Sequence, residues 1–264
     1  MIRSRTPVRI DFAGGWTDVA LFAQNEPGAV VNAAINIHSY ATVKKAEPIE
    51  GKENEIIKIY SADFDIYQEA AAIKELEYDG NVDLVKAAIK RMDVDFGLEI
   101  ITRSNAPAGS GLGTSAAMGV ALVGVLAQFI QKPLLAYEYA EIASSIERHE
   151  LGILGGKQDQ YASAVGGINF MEFLGEEVKL SKLPLSSDTL HELEKNIVLV
   201  YTGESRLSSD IHQNVVDAFT SGHKKTLDAL KNLKRIAREM KNSLLRGNLD
   251  DFGSLLNENW HNQK

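Results

Sequence analysis

Residues 105–117, Asn105-Ala-Pro-Ala-Gly-Ser-Gly-Leu-Gly-Thr-Ser-Ala-Ala117, decide how the rest of the chain is read. They follow a strand-like segment, 98–102, and run into 116–127, an apolar stretch without charge. Glycines at 109, 111 and 113 let the backbone turn its N–H groups inward and carry no side chains to block a ligand. The helix expected to follow adds about half a positive charge at its first turn, where Thr114 and Ser115 supply hydroxyls. Bare donors at a helix N-terminus suit a phosphate. The competing reading is a glycine-rich turn that lets a buried helix pack tightly. The loop is not a Walker A loop, because no Lys follows the last glycine. It also fits the dinucleotide pattern poorly: Thr114 stands where the third glycine would fall, and no acid stands about twenty positions beyond.

The chain around this loop has 264 residues, 44% hydrophobic and 24% charged. That suits a soluble protein of one large domain or two small ones. A net charge of −8 without a long Lys/Arg cluster argues against a nucleic-acid partner. The absence of cysteine excludes disulfides and thiolate metal sites and fits a cytoplasmic location. The basic N-terminus lacks the apolar core of a secretory signal. The run 116–127 is too short to span a bilayer, so it is read as a buried core helix and no membrane partner is expected. A homodimer is compatible with the composition.

In chain order, Val8, Ile10 and Phe12 alternate with Arg9 and Asp11 as a strand with one apolar face. The strand ends in a loop, Ala13-Gly14-Gly15-Trp16-Thr17-Asp18, that presents an aromatic and an acid. Segments 30–35, 39–43 and 56–60 read as strands, 63–77 leans towards helix, and 82–92 is more firmly helical. Leu135, Tyr139, Ile142 and Ile146 recur at helical spacing. Glu147 lies on an adjacent face beside Ala140 and Ala143, and its default reading is a solvated side chain. A second glycine-bearing loop, 152–156, delivers Lys157-Gln158-Asp159-Gln160-Tyr161 to a short helix closed by Gly166-Gly167. Asp159 there suits a helix N-cap. Segments 168–173 and 197–201 read as strands, the latter leading into a loop at 202–206. From Leu207 the chain is mostly helical. Leu227, Leu230, Leu233, Ile236, Met240 and Leu244 form an amphipathic stripe ended by Gly247, and a last helix covers 250–260. The sequence predicts an α+β protein of two lobes with the site between them: a strand-rich domain over 1–175 and a helical one over 176–264.

Three segments together resemble the GHMP kinase superfamily. The first is Pro7-Val8-Arg9-Ile10-Asp11-Phe12-Ala13-Gly14-Gly15-Trp16-Thr17-Asp18. The second is 107–117, similar to the family's phosphate loop. The third is Gly156-Lys157-Gln158-Asp159-Gln160-Tyr161-Ala162, similar to its catalytic-aspartate segment. Within the superfamily the resemblance is strongest to kinases of D-glycero-D-manno-heptose 7-phosphate, on the Gly-Lys-Gln-Asp-Gln-Tyr-Ala run and Tyr201-Thr-Gly-Glu-Ser-Arg206. Fucokinases share the Ala-Gly-Gly-Trp-Thr-Asp and Gly28-Ala-Val-Val-Asn-Ala-Ala34 segments.

The resemblance implies an ATP- and Mg²⁺-dependent kinase acting on the anomeric hydroxyl of a sugar. It assigns ATP binding to Pro107, Ala108, Gly109, Ser110, Gly111, Leu112, Gly113, Thr114 and Ser115. Ser115 and Glu147 become the metal ligands. Asp159 becomes the group that accepts the sugar proton, with Arg9 as the cation beside it. Gly15, Trp16, Thr17 and Asp18 join Asp159 as substrate-binding residues. Arg206 and Lys157 are the candidates for meeting a 7-phosphate. Plainer readings stand beside these: a surface Arg9–Asp11 pair and turn chemistry at Asp18. Gly14-Gly15-Trp16 in place of Gly-Glu-His argues against galactose. Members carry a third glycine-rich motif towards the C-terminus, and none follows Gly175. The C-terminal domain is therefore read as incomplete, which motivates an alternative of another class, a non-catalytic sugar or nucleotide sensor.

Overall fold

The computed structural model describes residues 1–47, 55–203 and 208–264. It is an α+β fold whose Cα packing separates two compact units that interleave along the chain. One unit comprises Met1–Val8, Ile35–Ile153 and Asp159–Val165; the other comprises Arg9–Ala34, Leu154–Gln158 and Gly166–Lys264.

Two strands run through both units, β1 (Ile2–Ala13) and its partner β2 (Gly28–Lys45). The strands expected at 30–35 and 39–43 are thus one, continuing through Asn36-Ile37-His38. In the first unit β2 pairs antiparallel with β5 (Leu98–Ser104), from Ser39 opposite Ser104 to Lys45 opposite Leu98. β5 pairs in parallel with β3 (Ile57–Ser61), which pairs antiparallel with β4 (Ile66–Ala70). The helix-leaning stretch 63–77 is therefore a strand followed by a 3-10 turn, Ile73–Glu75. Its Glu, Ala and Lys content favours helix locally, but ladder bonds across Tyr60–Tyr67 override that preference.

Behind these strands lies α3 (Thr114–Phe129), between α2 (Asp83–Arg91) and α4 (Ala136–Ser145). Residues of α3 are buried all round, as a helix without charge requires. Leu122, Val123, Val125 and Leu126 are wholly excluded from solvent, each contributing about 1.5–3 kcal/mol by burial. α4 packs close to α3 at Gly119, where a methyl would make an ordinary contact with the Ala143 Cβ at 3.5 Å. After α4 the backbone widens into a π turn, Ile146–Glu150, closed by Leu151 N–H donating to the Ile146 carbonyl at 3.0 Å. A short helix, α5 (Gln158–Val165), crosses from one unit's residues into the other's.

In the second unit the start of β2 pairs antiparallel with β6 (Ile168–Leu174), Gly28 opposite Phe173, and β6 pairs with β7 (Glu177–Lys182). Before β2 comes α1 (Ala20–Ala23). Helices α6 (Ser187–Asn196), α7 (Ser208–Thr220), α8 (Lys224–Arg246) and α9 (Leu249–Gln263) complete the unit. The stripe on α8 is its buried face: Ile236, Ala237, Met240 and Leu244 join Phe12, Val31 and Phe252 in one core. Gly247 ends α8 in a left-handed conformation, φ +70°, that suits glycine. The strand expected over 197–201 does not form. No ladder among the described residues includes the segment, and Val198 and Val200 are 81% and 73% exposed.

Candidate active site

The loop before α3 folds as its glycines require. Gly109, Gly111 and Gly113 have φ of +69°, +77° and +69°, while Ser110 and Leu112 between them do not enter the left-handed region. Left-handed residues at alternate positions are the kind of backbone from which anion-binding nests are built. Pro107, Ala108, Gly109 and Gly111 are exposed, and Ser110, Leu112 and Thr114 are half-buried. Gly113 is the N-cap of α3 and offers no side chain to its first turn. The first-turn N–H groups of a helix have no intrahelical acceptor. Ser115 stands exposed on that turn.

Against this helix end lies Asp159. A methyl group on Gly113 would sit 2.8 Å from Asp159 Oδ2 and 3.0 Å from its Cγ. Asp159 sits in the first turn of α5 and is half-buried.

The Glu147 carboxyl joins the same cluster. The Ser115 hydroxyl donates to its Oε1 and the Gln160 amide Nε2 donates to its Oε2. Only 7% of Glu147 is exposed, so the solvated reading is overturned. That default fails because Ala140 and Ala143, on the same helical face, are fully buried and Ser115 and Gln160 meet the carboxyl. Burial pushes the Glu147 pKa up. The Ser115 and Gln160 hydrogen bonds oppose that rise, and the nearby Asp159 charge adds to it. A carboxyl raised in this way is poised to ionise when a cation arrives. Among the described residues no group of three or more His, Cys, Asp or Glu could hold a metal unaided. Serine and glutamate oxygens do suit a hard cation that keeps waters and shares a nucleotide's phosphates, so these residues fit Mg²⁺.

The 13–18 loop forms a separate arrangement in the second unit. Asp18 is 6% exposed and accepts from the Gln158 backbone N–H at 3.1 Å, with Gln158 Nε2 at 3.5 Å from its other oxygen. Gly156 makes room for this carboxylate, since a Cβ there would fall 1.8 Å from Oδ2. Asn32 Nδ2 donates to Gln158 Oε1 at 3.4 Å and steadies the amide. Thr17 is fully buried and its hydroxyl is used inside the loop: it donates to the Gly14 carbonyl at 2.7 Å and accepts from Ala29 N–H at 3.0 Å. Trp16 is half-buried at φ +77°, an uncommon state for a bulky residue. Its ring packs against Phe219, and its indole N–H is buried without a partner among the described residues. Gly15 abuts Asp11, whose Oδ2 would be 2.0 Å from a Cβ at position 15. Arg9 is half-buried on β1. The Lys157 ammonium is bonded to Glu176, through its carbonyl and its carboxylate at 3.0 Å each. Arg206 lies outside the described residues. The sequence reading missed Gln158 and Gln160, though their signal was present: both flank Asp159 at the start of a helix.

The family model for the GHMP kinases N terminal domain matches residues 83–167, which include the glycine loop, Glu147 and Asp159. A D-glycero-alpha-D-manno-heptose 7-phosphate kinase of Campylobacter jejuni is 35% identical over all of this chain and 77% of its own length. The chain belongs to the GHMP kinase family. Its sugar-kinase relatives make it a phosphotransferase with a sugar acceptor. A crystal structure of a D-glycero-D-manno-heptose 1-phosphate kinase from Bacteroides thetaiotaomicron superposes on this GHMP kinase with a TM-score of 0.84 and 32% identity, covering all of this chain and 79% of that one. A bifunctional fucokinase/GDP-fucose pyrophosphorylase of Arabidopsis thaliana is 29% identical over 96% of this chain, but only 25% of its own length. Among the described residues no helix is long and apolar enough to cross a membrane.

Proposed function

We propose that the chain is an ATP-dependent sugar kinase that transfers the γ-phosphate to the anomeric hydroxyl of D-glycero-D-manno-heptose 7-phosphate. The observation that carries the reading is the Asp159 carboxylate lying against Gly113, at the uncapped N-terminus of α3. A triphosphate gripped there would have its terminal group beside a carboxylate. The heptose 7-phosphate kinase of Campylobacter jejuni, similar along this whole chain, supports the choice of sugar.

In this reading the amides of residues 109–115 hold the phosphates, and the dipole of α3 offsets their charge. Ser115 and Glu147 would hold Mg²⁺, which neutralises charge on the β- and γ-phosphates when bound. Asp18, with Gln158 behind it, takes sugar hydroxyls, and Trp16 and Gly15 shape the loop around it. Asp159 takes the proton of the anomeric hydroxyl as its oxygen bonds to phosphorus and the bond to the β-phosphate oxygen breaks. Phosphoryl transfer passes through a loose transition state, so positioning of the carboxylate matters more than early proton abstraction. Arg9 offsets charge on the transferring group.

The test is ADP release by the full-length protein with ATP and Mg²⁺ over a panel of heptose 7-phosphate, heptose 1-phosphate, fucose and galactose. Release specific to heptose 7-phosphate, with a product phosphorus signal coupled to the anomeric proton, is expected. Absence of any sugar-dependent release would overturn the reading, and preference for another sugar would overturn its substrate.

A further inference from the structure

We propose that Gln160 is the positioning residue for Glu147: its amide fixes one carboxylate oxygen so that the other is presented to the divalent cation. This rests on the reading of Ser115 and Glu147 as the Mg²⁺ ligands.

Glu147 is almost wholly buried, and a buried carboxylate needs donors on both oxygens. Ser115 donates to Oε1 and Gln160 to Oε2. The two donors are not equivalent. Once the Ser115 oxygen and Oε1 both face a cation, the bond between them is no longer available to hold the carboxyl group. The Gln160 bond at Oε2 remains. It then defines the plane and rotation of the carboxylate.

The chemistry of Gln160 fits this task. Its side chain is 3% exposed, and its Oε1 is buried without a hydrogen-bond partner among the described residues. The amide therefore has one described polar engagement, the Glu147 carboxylate. A Lys or Arg in its place would donate as well, but its positive charge would oppose a dication a few ångströms away. A neutral amide holds the carboxylate without that repulsion. Gln160 also follows Asp159 directly in the first turn of α5. One helical turn thus sets both the carboxylate at Gly113 and the amide at Glu147.

Groups that orient a metal ligand typically govern about 10–100-fold in metal affinity. The experiment uses the full-length protein and Gln160→Met, which keeps length and apolar bulk but removes the donor. Binding of Mn²⁺ in the presence of AMPPNP is read by electron paramagnetic resonance, and binding of AMPPNP alone in EDTA by calorimetry. The variant is expected to weaken Mn²⁺ binding about tenfold or more, while metal-free nucleotide affinity and melting temperature hold. Equal losses in all three would mean a structural role only, and unchanged Mn²⁺ affinity would remove the proposal. If the wild type itself binds no Mn²⁺ with nucleotide, the metal-site reading has failed instead. Should the variant not fold, the wild type decides. The Gln160 side-chain amide protons are expected to stay protected from solvent exchange when Mg²⁺ and AMPPNP bind, and loss of that protection contradicts the proposal.

Discussion

The Asp159 carboxylate and the Cα of Gly113 are in such close approach that a methyl group on Gly113 would stand 2.8 Å from Oδ2. Gly111 has the same kind of left-handed backbone, φ +77°, but a Cβ there would meet nothing within 4 Å. The pair separates two effects. Gly111→Ala and Gly113→Ala should each cost about 1–2 kcal/mol in stability, because both place an L-residue in the left-handed region. Only Gly113→Ala pushes Asp159 aside, so it alone should lower kcat, by on the order of 100-fold, as misplacement of about an ångström does. Thermal melts and steady-state kinetics on both variants check this.

Asp159→Asn keeps size and hydrogen-bonding capacity but cannot take the sugar proton. Turnover should fall by about 10²–10⁴-fold, while AMPPNP affinity measured by calorimetry should change by no more than a few-fold. Retained turnover would remove Asp159 from the chemistry.

Much of this arrangement was legible in the sequence, for identifiable reasons. The glycines at 109, 111 and 113 occupy positions that demand positive φ, and a charge-free helix has nowhere to go but the core. Features set by distant pairing were not legible. The stretch 66–70 becomes a strand because β3 lies beside it. Val198 and Val200 have strand-forming side chains, yet 197–201 joins no described ladder. Glu147 shares a helical face with the buried Ala140 and Ala143, and its burial is completed by Ser115 and Gln160, partners from elsewhere in the chain that spacing along one helix does not announce. Gln160 escaped notice because an amide has significance only through the partner it meets in space.

The raised pKa of Glu147 gives a pH dependence of fixed sign. Between the ordinary carboxylate value of 4.5 and the higher value imposed by burial, the folded protein holds a proton that the unfolded chain has lost. Stability without nucleotide or metal is therefore lost as pH rises through that window. Glu147→Gln, neutral at every pH, should abolish this slope. Its melting temperature relative to wild type should be higher at pH 8 than at pH 4. The same variant should lose activation by Mg²⁺. Parallel pH profiles for the two proteins would contradict the assignment.

Gly156 touches only the sugar half of the account. Its substitution by Ala would drive a methyl group into the Asp18 carboxylate, 1.8 Å from Oδ2 in the present arrangement. The KM for sugar should rise by about tenfold to a hundredfold, equivalent to one lost hydrogen bond to a charged group. The KM for ATP should hold. A rise confined to ATP would place Asp18 outside the sugar site.

A crystal structure of the full-length protein with Mg²⁺ and AMPPNP shows where the triphosphate lies. The phosphate tail is expected within hydrogen-bond reach of the residue 113–115 amides, its γ-phosphoryl group facing Asp159. A nucleotide bound with its phosphates away from that helix end, or with Asp159 turned from the γ-phosphoryl group, would contradict it.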